Sequence, residues 1–248
     1  MTSPTQGHRP RSTLTIEACV ASVADAEAAA VGGADRLELN RALDRDGLTP
    51  PIDLLVDVVE AVDLPTIAMV RPHDRGFVYR PAELDDMLDT AARFVSVGAA
   101  GIAIGPLTPK GSIDEDALVR LVASVVGAEV VFHRAFDVIQ DQEGALETLV
   151  SAGVSRVLTS GGARTAPEGA AQIARLIRQA RGRIEVLPGA GIGPGNASDL
   201  VRRTGCTQVH GTFRETGAAL AGTSATVVAA VRRAAETAGA HVAPHDDE

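Results

Sequence analysis

From about residue 14 to residue 240, short apolar runs alternate with longer amphipathic stretches. Eight runs have the length and β-branched content of buried strands: 14–20, 36–40, 66–71, 101–107, 129–136, 156–160, 183–188 and 208–213. The stretches between them carry apolar residues at helical spacing, over 22–31, 51–62, 81–97, 114–126, 142–152, 167–179, 194–203 and 224–238. Ser22 suits an N-cap, and Pro51, Pro81 and Pro167 suit first helical turns. Gly33, Gly98, Gly153 and Gly205 stand where helices should end.

Those four glycines recur at intervals of roughly 50 to 65 residues, about the length of a βαβα unit, and each precedes a strand. Four such quarters give eight parallel strands. This favours an α/β fold closed as a single-domain TIM (β/α)8 barrel over the alternative, an open doubly wound sheet. The expected barrel spans 13–240, between a disordered tail at 1–12 and an acidic tail at 241–248.

Composition narrows the chemistry. Hydrophobic residues make up 45% of the 248, but aromatics only 2%, so the core must be aliphatic. A net charge of −9 argues against nucleic acid or an anionic membrane as partner. Two cysteines, Cys19 and Cys206, are too few for a disulfide framework. No run is long enough to cross a bilayer, and 1–12 lacks the apolar core of a secretory signal, so a cytoplasmic protein is expected.

Side chains alternate along a strand, so parity sorts the polar residues. With Leu37 and Leu39 facing the helices, Arg36, Glu38 and Asn40 turn toward the barrel axis. Glu17, Cys19, Arg71, Thr159 and His210 are expected inside too, and His133, Ala135 and Asp137 share one face of the fifth strand. That strand begins apolar, Val130-Val131-Phe132, then delivers His133, Arg134 and Asp137 at its C-terminal end, where α/β barrels carry their active sites. Glu17, Glu38, His133, Asp137 and His210 are therefore candidates for acid–base catalysis, with Asp137 orienting His133. Arg71 and Arg134 are candidates to hold an anionic or polyhydroxy substrate. The plainer alternative is a buried ion network of Glu17, Glu38 and Arg71.

Gly-rich turns follow two late strands, 159–163 and 188–193. Their amides suit an anion, placing Thr159, Gly161 and Gly189 among the substrate-binding candidates, although tight βα turns need glycine anyway. The loop 72–80, with the chain's single Tyr, reads as a lid or as an ordinary surface loop. His133, His210, Glu17 and Glu38 offer metal-ligating atoms but lack local ligand spacing. Cys19 is the one suitably placed thiol, since Cys206 falls at the opposite mouth.

Several segments in register resemble the CutC family. They are Glu17-Ala18-Cys19-Val20, Gly32 through Leu39, Gly47-Leu48-Thr49-Pro50 and Met69-Val70-Arg71-Pro72, followed by Phe132 through Asp137, Leu158 through Gly162 and Val209-His210. The resemblance covers about 14–214 and implies a cytoplasmic, homo-oligomeric barrel that binds copper. It implies Cys19 as a copper ligand, but Asn40 stands where members often have a second Cys, so a two-thiolate Cu(I) site cannot be assembled. Two functions stay open: copper homeostasis with copper as cofactor, or a barrel enzyme of isomerase, lyase or aldolase type acting on a small polar metabolite. Schiff-base chemistry is disfavoured because the only Lys, Lys110, lies in a loop.

Overall fold

A computed structural model describes residues 14–215 and 222–239; the tails read at 1–12 and 241–248 lie outside them. Strands and helices alternate throughout: β1 (Thr15–Val20), α1 (Val23–Val31), β2 (Arg36–Leu39), α2 (Ile52–Ala61), β3 (Thr66–Met69), α3 (Pro81–Ser96), β4 (Gly101–Ile104) and α4 (Glu115–Ser124). The second half repeats the pattern with β5 (Glu129–Phe132), α5 (Gln142–Ser151), β6 (Arg156–Thr159), α6 (Ala170–Ala180), β7 (Glu185–Pro188), α7 (Ala197–Thr204), β8 (Gln208–Gly211) and α8 (Ala225–Gly239). Ser22 Oγ caps α1, accepting from Asp25 N at 3.1 Å, and Pro81 opens α3; Pro51 instead is the N-cap of α2, and Pro167 stands three residues before α6. All four repeat glycines adopt positive φ after their helices, which a side chain would resist. No helix among the described residues is long and apolar enough to cross a membrane.

The sheet runs β7-β6-β5-β4-β3-β2-β1-β8, every recorded pair parallel, with β1 pairing β8 through Thr15↔Gln208 and Glu17↔His210. The result is a nearly closed TIM barrel whose seam lies between β7 and β8. Side chains bridge that seam: Gln208 Nε2 donates to Glu185 Oε2 at 3.3 Å.

The main apolar core lies between strands and helices and includes Phe132, Phe136, Leu37, Leu39 and Ile102, all fully buried. Inside the barrel a smaller cluster, Ile67, Met69, Ala103, Val131, Leu158 and Leu187, forms a plug. At the N-terminal end of the strands a polar belt runs below it. Arg156 bonds Glu129 and Glu185, each at 2.7 Å; Gln208 joins Glu185 to Arg36; and Arg36 closes on Glu17. Five belt members, Arg36, Glu129, Arg156, Glu185 and Gln208, are the first residues of their strands. Buried charges this deep are tolerable because each guanidinium meets a carboxylate.

Candidate functional site

Above the plug, at the C-terminal ends of the strands, a cavity of about 490 Å³ opens. Of the residues expected there, Cys19, Glu38, Arg71, His133, Arg134, Asp137 and His210 line it. Glu17 sits beneath, bonded to His210. Thr159, Gly161 and Gly189 do not line it.

On the β1–β2–β8 side, strand parity assembles one unit. His210 Nδ1 lies 2.8 Å from Glu17 Oε1 and 3.7 Å from Glu38 Oε2. Asn40 donates from Nδ2 to Glu38 Oε1 at 2.8 Å and to Cys19 Sγ at 3.3 Å. Glu38 Oε2 and Asn40 Oδ1 are buried without a partner among the described residues. The two carboxyl groups differ sharply. Burial works to raise Glu17, but the His210 hydrogen bond and the Arg36 and Arg156 charges hold it down at about 2. Burial raises Glu38 above the usual carboxylate range, with Glu17 adding to the rise and His210 opposing it. His210 is pulled down by burial yet ends well above its ordinary value because Glu38, Cys19 and Glu17 surround it. Burial also raises the Cys19 thiol. Glu17 is thus the carboxylate that meets His210, while burial shifts both Glu38 and Cys19 toward their protonated forms.

On the β3–β5 side, β5 ends at Phe132, earlier than expected, because His133 caps a short 3₁₀ turn over Arg134–Val138. Ala135 N donates to His133 Nδ1 at 3.1 Å, which fixes the neutral ring with its proton on Nε2. Burial, and then the Arg71 charge, lowers this imidazole to about 3. Its Nε2 has no partner among the described residues. Arg71, 5% exposed, donates from Nη1 to the carbonyls of Arg45, Asp46 and Gly47 at 3.0–3.1 Å. It thereby clamps the loop after β2, while its Nε is left unpartnered. Phe77, from the loop 72–80, covers both groups: Arg71 Cζ is 5.1 Å and the His133 ring 5.3 Å from its centroid. That loop is pinned by Leu107 N donating to Phe77 O at 2.8 Å and by Arg45 pairing with Asp74.

Three expectations need correction. Asp137 does not orient His133. The chain turns at His133, and the Asp137 carboxylate accepts from Arg134 Nε, Thr159 Oγ1, Ser160 N, Ser160 Oγ and Gly162 N, all at 2.6–3.2 Å. The Gly-rich turn after β6 thus holds an anion, and that anion is the protein's own. Thr159 faces away from the axis, since Leu158 joins the interior plug; Gly161 follows it into the turn, its φ of +71° and the nearby Gly169 carbonyl excluding a side chain. Gly189 is a close-packing position: a Cβ there would lie 2.6 Å from Leu158 Cδ1 and 3.2 Å from His210 Cδ2.

Sequence reasoning passed over Phe77 and the belt residues Glu129, Arg156, Glu185 and Gln208. The signals were present, a Phe in a charged loop and polar residues opening consecutive strands.

Cys19, Glu38 and His210 present one ligand-type atom each, all within 4.8 Å of one another. The set has one soft donor, one borderline and one hard. Asn40 turns an N–H, not a lone pair, toward the sulfur, and His210 Nδ1 is engaged by Glu17. All three groups are shifted toward their protonated forms, and a metal binds only the deprotonated ones. A soft Cu(I) ion, which wants thiolates, does not fit this donor set.

Residues 14–215 match the profile of the CutC family. A CutC protein of Treponema denticola is 44% identical over 197 residues, covering 79% of this chain and 80% of that one. A human relative named copper homeostasis protein cutC homolog is 41% identical over 201 residues, 81% of this chain and 74% of that protein. The crystal structure of a CutC protein from Streptococcus agalactiae superposes with a TM-score of 0.77 at 30% identity, over 80% of this chain and 98% of that one.

Proposed function

The chain belongs to the CutC family, and on that premise we propose that the mouth of its barrel binds a small polar molecule and moves a proton on it. One observation carries this reading: two buried carboxyl groups flank His210, one driven down and the other up. Environments that push neighbouring acids apart divide the labour of acid–base catalysis. Glu38 is the proton donor and acceptor, with an oxygen free. His210, anchored by Glu17, steadies the charge that Glu38 acquires when its proton leaves. Their separation of 3.7 Å suits electrostatic support and is long for a direct hydrogen bond. The reaction class is isomerisation or elimination next to a carbonyl or carboxyl group.

The copper named for the human relative supplies a second reading, favoured by the proximity of Cys19, Glu38 and His210. The shift of those groups toward their protonated forms weighs against it.

The test is proton exchange. Purified protein in D₂O, given small sugars and hydroxy and keto acids, should wash deuterium into one of them, read by mass spectrometry. Glu38→Gln should abolish the exchange while the fold persists. Exchange that survives this substitution would overturn the assignment of Glu38.

A further inference from the structure

Resting on that reading, we infer that the molecule taken by the mouth is a hydroxycarboxylate: its carboxylate meets Arg71 and His133, and its hydroxyl groups meet Glu38 and Asn40. The first half of the inference comes from charge. Arg71 is buried and makes no ion pair among the described residues; its only partners are three carbonyl oxygens and the face of Phe77. A buried cation without a counter-charge is costly unless something negative joins it. Other buried guanidiniums of this barrel show the contrast, since Arg36 and Arg156 both meet carboxylates. Arg71 instead lines the cavity, and its buried Nε–H has no hydrogen-bond partner among the described residues.

His133, on the same side, adds a second unpartnered donor, its Nε2–H. Two N–H groups and a positive charge match a carboxylate, which accepts at both oxygens. Arg134 does not compete for this role, being paired with Asp137 at 2.8 Å.

The second half comes from hydrogen-bond parity on the opposite wall. Asn40 Oδ1 only accepts, whereas Glu38 Oε2 donates when protonated and accepts when ionised. A hydroxyl that accepts from protonated Glu38 can donate to Asn40 Oδ1; once Glu38 is ionised the pair is two acceptors and takes two hydroxyl groups, which a polyol end supplies. A second carboxylate cannot satisfy this pair, because it offers Asn40 Oδ1 nothing and repels an ionised Glu38. The ligand is therefore polarised, with its anionic end toward β3 and β5 and its hydroxyl-bearing end toward β1, β2 and β8. A cavity of about 490 Å³ accommodates a sugar acid.

Gluconate, sorbitol and hexanoate share a chain length and separate the two requirements. Thermal shift and calorimetric titration of the full chain with each should show binding by gluconate and far weaker binding by the other two. Arg71→Lys keeps the charge but loses the Nε–H donor, and His133→Leu loses the ring donor. Each should weaken gluconate by on the order of tenfold or more. Because Arg71 also clamps a loop, the His133 variant is the cleaner arm if Arg71→Lys is misfolded by circular dichroism. Sorbitol binding as tightly as gluconate overturns the anionic half and leaves the mouth a polar-ligand site; hexanoate doing so overturns the hydroxyl half. No binding by any of the three, or gluconate affinity untouched in both variants, overturns the inference whole. The deuterium exchange described above then judges the acid–base reading separately.

Discussion

Acid should destabilise this protein through His133, whose burial favours the neutral ring. The folded ring is neutral down to about pH 3, while in the unfolded chain it titrates at its ordinary 6.5. Between those values the unfolded state binds more protons, so stability falls as pH drops through that window and stops falling below it. The full preference for the neutral ring amounts to about 5 kcal/mol, an order-of-magnitude figure for a buried group. At pH 5 about 2 kcal/mol should already be lost relative to pH 7.5. For a chain of this length that corresponds to a fall in Tm of about 4–8 °C. Other groups titrate over the same range: Glu17 loses its contribution as pH falls below its unfolded value, and Glu38 and His210 change as well. The informative quantity is therefore a double difference, wild type against His133→Gln, each at pH 7.5 and 5.0, by urea denaturation and thermal melting. Glutamine does not titrate, so the variant should lose about 2 kcal/mol less on acidification. Equal acid sensitivity of the two proteins would falsify the claim that a buried neutral imidazole lies in the mouth.

Three further outcomes follow from contacts described above. Asp137→Asn removes the charge that the amides of Ser160 and Gly162 and the Arg134 guanidinium converge on. It should cost about 2–3 kcal/mol and raise hydrogen exchange at Ser160 and Gly162, whereas unchanged protection there counts against the internal-anion description. Gly189→Ala forces a methyl against Leu158 and His210 and should destabilise by about 1–3 kcal/mol, read by denaturation; a neutral result means the seam is looser than drawn. In competition with a Cu(I) chelator the protein should leave the copper behind, and affinity on the order of picomolar that vanishes in Cys19→Ser would contradict the donor-set argument.

The barrel was legible because its signals are local and repeated. Eight β-branched runs, the Pro81 that opens α3 and four glycines at quarter intervals each reflect local backbone preferences. Parity carried Glu17, Cys19, Glu38, Arg71, His133 and His210 to the axis correctly. It failed where a strand stopped early: nothing in Phe132-His133-Arg134 announces that the imidazole will cap a turn, which carries the Asp137 carboxylate to the loop after β6 instead of to His133. Thr159 failed differently, since Leu158 and Thr159 are both plausible inward residues and only the neighbouring plug decides. The partner of Asp137 was illegible because it is a set of backbone amides on another strand's loop, which carry no residue-type signal.

The pairing of β1 with β8 has a consequence for the order in which the molecule is made. Thr15 aligns with Gln208, and Arg232 of α8 bonds the carbonyl of Gly33 and pairs with Asp35. During synthesis the first strand leaves the ribosome with one edge satisfied by β2 and the other waiting for a segment nearly the whole chain away. Contacts of such separation form last, because loop closure must precede any gain from them. The half-built barrel therefore carries an open parallel edge throughout translation, the kind of edge that recruits other chains. Its first strand bears Glu17, whose eventual partners are Arg36, near at hand, and His210, the last to arrive. The acid–base unit proposed for the mouth thus comes into being only when β8 docks on β1, because a nascent chain without β8 lacks His210.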